Sequence, residues 1–147
     1  MPRPGPGADV RGAVAVAAGG FLGTLARYGL DRMWTSRPLG FPLATFAINV
    51  SGALAIGVLL VVLTESLGGR ADRHLRPFLA TGLLGGWTTM SAVAVNTSTL
   101  VRRGHPGSAV AYLAATLTAS LAAAAGATAL TRAVTARVVP APVGDVR

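Results

Sequence analysis

Three polar groupings in this 147-residue chain have types and spacing that could do chemistry. Thr45 and Asn49 stand four apart, Tyr112, Thr116 and Ser120 repeat every fourth residue, and Arg27 closes the series Ala15, Gly19, Gly23 at the same interval. At 3.6 residues per turn each series lies along one helix face. What accompanies them narrows the chemistry. The chain has no cysteine, its histidines (His74 and His105) fall in connections, and no Asp or Glu lies within the four long apolar stretches. Disulfides, thiolate metal sites and cysteine nucleophiles are thereby excluded. No carboxylate pair, metal cluster or buried histidine is available for catalysis, and no ionisable relay at membrane depth serves proton-driven export. Hydroxyls, one amide, one guanidinium and freed backbone N–H groups remain. Donors without carboxylates suit a small anion, whose hydration shell they would replace.

The elements that must hold these residues are membrane spans. Hydrophobic residues make up 52% of the chain and charged ones only 12%, a balance that places it with membrane proteins. The net charge of +8 comes wholly from arginines, most of them between uncharged runs where lipid headgroups lie. That distribution argues against nucleic-acid binding. The predicted fold is an all-α membrane protein with spans over about residues 12–30, 41–63, 77–101 and 108–131, a disordered arm over 1–11 and a tail over 132–147. The arm and first span are not read as a signal peptide, because the apolar run continues through Arg27 and three further spans follow.

Within the spans, Gly82 to Asn96 is poorly suited to a regular helix. Gly82, Gly85 and Gly86 each lower helix propensity by about 1 kcal/mol relative to Ala. Thr88, Thr89 and Ser91 compete for backbone partners. Unwound backbone at membrane depth survives only where protein buries it or it lines a watery cavity, so a broken third helix marks a site. Elsewhere the polar residues admit two readings each. Arg27 snorkels to the interface, with Asp31 as a partner four residues on, or faces water inside the protein. Asn49 glues helices or binds something polar, and the Tyr112, Thr116, Ser120 ladder is glue or a pathway. Ala15, Gly19 and Gly23 offer a face for close helix approach. With four spans both termini share a side, and that side carries eight arginines against five, a weak lean towards cytoplasmic termini.

Taken together, four patterns resemble one family. They are Gly-Gly-x-x-Gly-x-x-x-Arg-Tyr at Gly19 to Tyr28, Thr-x-x-x-Asn-x-x-Gly at Thr45 to Gly52, Gly-x-x-Gly-Gly-x-Thr-Thr-x-Ser at Gly82 to Ser91, and the hydroxyl ladder. In that order, over about Ala17 to Thr131, the chain resembles the small dual-topology fluoride channels called Fluc or CrcB. The resemblance implies an antiparallel dimer in the inner (plasma) membrane, multi-pass, with two fluoride pores and passive export. It also implies a structural sodium ion at the dimer centre on the backbone carbonyls of Gly85 and Thr88. Arg27 would line the vestibule, Asn49 would donate to fluoride, and Thr45, Thr89, Ser91, Tyr112, Thr116 and Ser120 would complete the pathway. One departure stands out: the family usually places two Phe residues where this chain has Met90 and Val93. Neither side chain offers an electropositive ring edge. The subunit is therefore expected either to pair with a paralogue that supplies the aromatics or to conduct as a homodimer through its hydroxyls and Asn49, and the first is favoured. Two other functions remain for comparison, a small four-helix multidrug exporter and a non-transporting membrane scaffold.

Overall fold

The computed structural model describes residues 6–34, 40–66 and 75–138. Helix α1 runs over Pro6–Met33 and α2 over Leu43–Val61, which continues into a wider π turn over Val62–Ser66. A second wide-turned segment, Pro77–Leu83, leads into the short α3, Leu84–Trp87. Then come α4, Met90–Arg102, and α5, Pro106–Val138. Four stretches are long and apolar enough to cross a bilayer: Val10–Met33, Leu43–Thr64, Pro77–Arg102 and Pro106–Arg137. They correspond one to one with the four spans expected from hydropathy.

Two helix ends differ from the expectation. Helix α1 begins at Pro6, inside the segment read as a disordered arm, and α5 continues past Arg132 to Val138, through residues assigned to a tail. The physical reason is the same at both ends. Proline fits the first helical position, and alanine and arginine are good helix formers with no breaker before Pro140. Residues 1–5, most of the two polar loops (35–39 and 67–74) and residues 139–147 lie outside the described residues, and with them Arg3, Arg37, Arg70, Arg73 and Arg147. The extension of α1 beyond Leu30 also brings Asp31 into its last turn, so the first span is not free of carboxylates.

The helices pair in two sets, α2 mainly on α5 and α1 mainly on Pro77–Trp87. The second pairing is a backbone-to-backbone contact made possible by glycine. A Cβ on Gly19 would strike the Phe78 carbonyl, one on Gly23 the Leu83 carbonyl, and one on Gly86 the Gly20 carbonyl. A Cβ on Gly82 would lie 2.6 Å from the Val16 carbonyl oxygen. Small residues at fourth-residue spacing thus appear on both partners, and the predicted face through Gly19 and Gly23 is the one used. The glycines of the third span remain helical, Gly82 and Gly86 serving this approach, while Thr88 (ψ 155°) and Thr89 (φ −153°, ψ 114°) take extended dihedrals between α3 and α4. Thr89 caps α4, its hydroxyl accepting from the Ala92 amide at 3.2 Å.

A small interior forms where α2, α4 and α5 meet: Val93, Leu100, Ala109 and Tyr112, flanked by Phe46 and Leu113. The Tyr112 ring packs edge-on to Phe41, centroids 5.2 Å apart. Outside it, Phe21, Leu121 and Leu130 are each about two-thirds exposed or more (68%, 72% and 67%). Such a surface suits a lipid solvent.

Candidate functional site

In extended backbone successive side chains point to opposite sides, so the two threonines between α3 and α4 serve different cavities. Thr88 lines a cavity of about 330 Å³ together with Asn49, Gly52, Met90, Thr116 and Ser120. Thr89 lines a second, of about 190 Å³, with Thr24, Arg27, Tyr28, Asp31 and Thr45. Thr45 and Asn49, one turn apart on α2, face one cavity each.

Asn49 holds the gap between them. Its Oδ1 accepts the Thr89 amide at 2.9 Å, and its Nδ2 donates to the Thr89 carbonyl at 3.1 Å and to the Thr45 carbonyl at 3.0 Å. The backbone amide forces the orientation of the side chain, because only the oxygen can receive it. Both Nδ2 hydrogens are engaged, so for this residue the helix-bracing reading is the one that the geometry favours; donation to an ion would require one of these bonds to open. An unbroken helix would direct the Thr89 amide to the Gly85 carbonyl. With that amide on Asn49, the Gly85 oxygen loses its next-turn partner.

The ladder on α5 is arranged differently. Tyr112 is fully buried and Thr116 nearly so, at 0% and 2% exposure. Thr116 returns its proton to the Tyr112 carbonyl at 2.8 Å, but the Tyr112 hydroxyl and the Ser120 Oγ are buried with no hydrogen-bond partner among the described residues. Arg27 Nε is the third such atom. Arg27 makes no ion pair with Asp31 among the described residues, so the simple pairing four residues apart is not formed. Arg32 does find a partner: its Nε donates to the Tyr28 hydroxyl at 2.9 Å and the guanidinium lies over that ring. Buried polar atoms without partners are uncommon and need an explanation; in this chain all three are donors on the residues that spacing had singled out.

The remaining sequence candidates separate. Met90 is 61% exposed and opens on the larger cavity, whereas Val93 is fully buried against Tyr112. Ser91 is exposed and hydrogen-bonds the Thr89 hydroxyl at 3.0 Å. Gly85 is exposed, and a Cβ added there would meet nothing within 4 Å. Two connections were not anticipated. Asn96 Nδ2 donates to Thr45 Oγ1 at 2.9 Å, and Trp87 Nε1 donates to Ser51 Oγ at 3.0 Å. Asn96 lies seven residues after Thr89, two turns along the same face, which is the signal that could have found it.

Four spanning stretches around polar, partly unsatisfied cavities define a multi-pass membrane protein whose interior is built to meet something polar. Comparison with known sequences gives that class its family. The family model described as "CrcB-like protein, Camphor Resistance (CrcB)" matches residues 14–128, and the chain belongs to this family. Among its relatives, the fluoride-specific ion channel FluC 2 of Streptomyces avermitilis is 50% identical over 102 residues, covering 69% of this chain and 63% of that protein. The chain thus spans less than two thirds of that relative's length. The fluoride-specific ion channel FluC of Paracoccus denitrificans is 46% identical over 98 residues, 67% of this chain and 76% of that one. The fluoride-specific ion channel FluC 1 of Mycobacterium tuberculosis is 42% identical over 132 residues, 90% and 98% respectively.

Proposed function

We propose that this chain is a subunit of a fluoride-selective channel of the cytoplasmic (inner) membrane that lets fluoride leave the cell passively. It is not an enzyme. The observation that carries the reading is the set of buried, unpartnered donors at Arg27, Tyr112 and Ser120. Each removes a polar group from water without compensation, at a cost of about 1–3 kcal/mol, unless a mobile acceptor visits it. Fluoride is the smallest anionic acceptor. The relatives named as fluoride-specific channels support the same substrate.

The ion would enter past Arg27 and Thr24, pass Thr45 and Thr89, and follow Tyr112, Thr116 and Ser120. Ser91 and the exposed Met90 stand beside this path. Asp31 at the smaller cavity is the one carboxylate near it among the described residues, and it is exposed, which gives no buried relay there for the exporter alternative. The open side of the larger cavity, with Gly85 and Met90 exposed, fits an antiparallel partner subunit. The third span then acts as a broken helix whose freed carbonyls face that partner. Gly85 and Thr88 supply oxygen ligands, the donor type that a hard cation takes, so a sodium ion on their carbonyls fits the residues present. Bound there, it would tie two subunits together by charge.

The partner is a paralogue carrying aromatic residues where this chain has Met90 and Val93. The absence of a ring at the exposed Met90 supports this, as do the numbered names FluC 1 and FluC 2 among the relatives. The test is fluoride efflux from liposomes, followed with a fluoride electrode, with chloride efflux as control. Fluoride release without chloride release is expected, from the chain alone or with its paralogue. Well-folded protein that releases neither ion in either preparation refutes the channel and leaves the scaffold.

A further inference from the structure

We infer that Asn96 is a positioning residue for the anion pathway: by donating to the Thr45 oxygen it turns the Thr45 proton into the Arg27 cavity. This rests on the fluoride-channel reading and adds to it the residue that sets the polarity of the entrance.

The argument starts from what threonines do elsewhere in the chain. In a helix the hydroxyl usually returns its proton to the carbonyl four residues back. Thr64, Thr97, Thr99, Thr116 and Thr118 all do so, at 2.6–2.8 Å. Thr45 does not. It lies in the first turn of α2, so its fourth-back residue is Phe41, outside the helix, whose carbonyl already receives the Leu43 amide at 2.7 Å. Its oxygen accepts from Asn96 Nδ2 at 2.9 Å, and among the described residues it donates to nothing.

A hydroxyl has one proton. With the oxygen held from the α4 side and the residue only 5% exposed, the proton is left for the cavity that Thr45 lines with Arg27, Thr24, Thr89 and the exposed Asp31. Thr24 uses its proton on the Gly86 carbonyl at 3.5 Å. Thr45 is therefore a hydroxyl donor that joins the Arg27 guanidinium in facing an anion, across a cavity whose other uncommitted hydroxyl proton is that of Tyr28, whose oxygen accepts from Arg32. Asn96 does not touch the ion; it fixes which way Thr45 points.

The test compares fluoride efflux for Asn96→Leu, Asn96→Asp, Thr45→Val and the double variant Thr45→Val/Asn96→Leu, each checked for unchanged elution of the assembled protein. Asn96→Leu frees the Thr45 rotor, and flux is expected to fall about threefold to tenfold, the worth of one hydrogen bond. Asn96→Asp replaces the donor by an acceptor of the same shape, pulls the Thr45 proton out of the cavity and lowers flux more than tenfold. In the Thr45→Val background Asn96→Leu should change flux by less than about twofold, because the hydroxyl it acts through is gone. Equal effects of Asn96→Leu in both backgrounds, or wild-type flux from Asn96→Asp, overturn the inference while the channel stands. Wild-type protein that passes no fluoride, alone or with its paralogue, and does not broaden the ¹⁹F resonance of added fluoride overturns the channel and this inference together.

Discussion

Replacing Asn49 by Ala is the perturbation that most directly separates bracing from ion binding. Asn49 and Thr89 are each 9% exposed, and the Thr89 amide has the Asn49 oxygen as its partner at 2.9 Å. Truncation strands that amide, at about 1–3 kcal/mol, and removes a second bond to the Thr89 carbonyl worth about 1 kcal/mol. The Thr89 carbonyl keeps the first intrahelical bond of α4, as a capping residue does, so the total is about 2–4 kcal/mol. That corresponds to a fall in melting temperature on the order of 10 °C, readable in detergent through Trp87, two residues from Thr89. Asn49→Asp should be at least as damaging. It keeps the acceptor but sets a carboxylate against the Thr45 and Thr89 carbonyls, and a charge at membrane depth costs about 2.5–3.5 kcal/mol or more. Fluoride efflux should fall in both variants together with stability. If Asn49→Ala melts within about 2 °C of wild type while losing flux, the amide serves the ion and the bracing argument is wrong.

Tyr112→Phe and Ser120→Ala remove hydroxyls that have no hydrogen-bond partner among the described residues, so stability should hold or rise slightly, while fluoride efflux should drop about tenfold; unchanged efflux favours the scaffold. Gly23→Val drives a side chain into the Leu83 carbonyl, and overpacking at a backbone contact should cost about 1–3 kcal/mol and separate α1 from the third span, seen as a lowered melting temperature. Met90→Phe, on the exposed wall of the larger cavity, should leave stability within about 0.5 kcal/mol and raise homomeric fluoride flux. Val93→Phe, by contrast, must force a ring into a fully buried position beside Tyr112 and should destabilise by about 1–3 kcal/mol with no gain in flux.

Because the chain's charged residues are few and its apolar runs long, much was legible before any coordinates. Spanning stretches are set by length and hydropathy, which are local properties, and the four found agree with the four expected. The glycine face through Gly19 and Gly23 and the ladder on α5 were legible for a similar reason: a single helix's periodicity places its own residues on one side. Helix ends were less legible. Pro6 and Arg132 were assigned to arm and tail by composition and charge, yet neither interrupts a helix.

Pairings between helices were beyond that reach. Asn49 meets Thr89 across 40 positions and Asn96 meets Thr45 across 51. Nothing in either local pattern states the rotation and height at which α2 and α4 face one another. Those are decided by close packing elsewhere, where glycines let α1 settle on Pro77–Trp87 and where Gly57 lies against Ala124 of α5. The same settings put Met90 on an open wall and Val93 in the interior, although three positions apart they looked equivalent. Composition and periodicity therefore determined that this is a four-span membrane protein with donors at chosen depths. Tertiary packing alone decided which donors hold the backbone and which are left with no partner among the described residues, because a hydrogen bond requires a separation set to within a few tenths of an ångström between groups that the chain does not hold near one another.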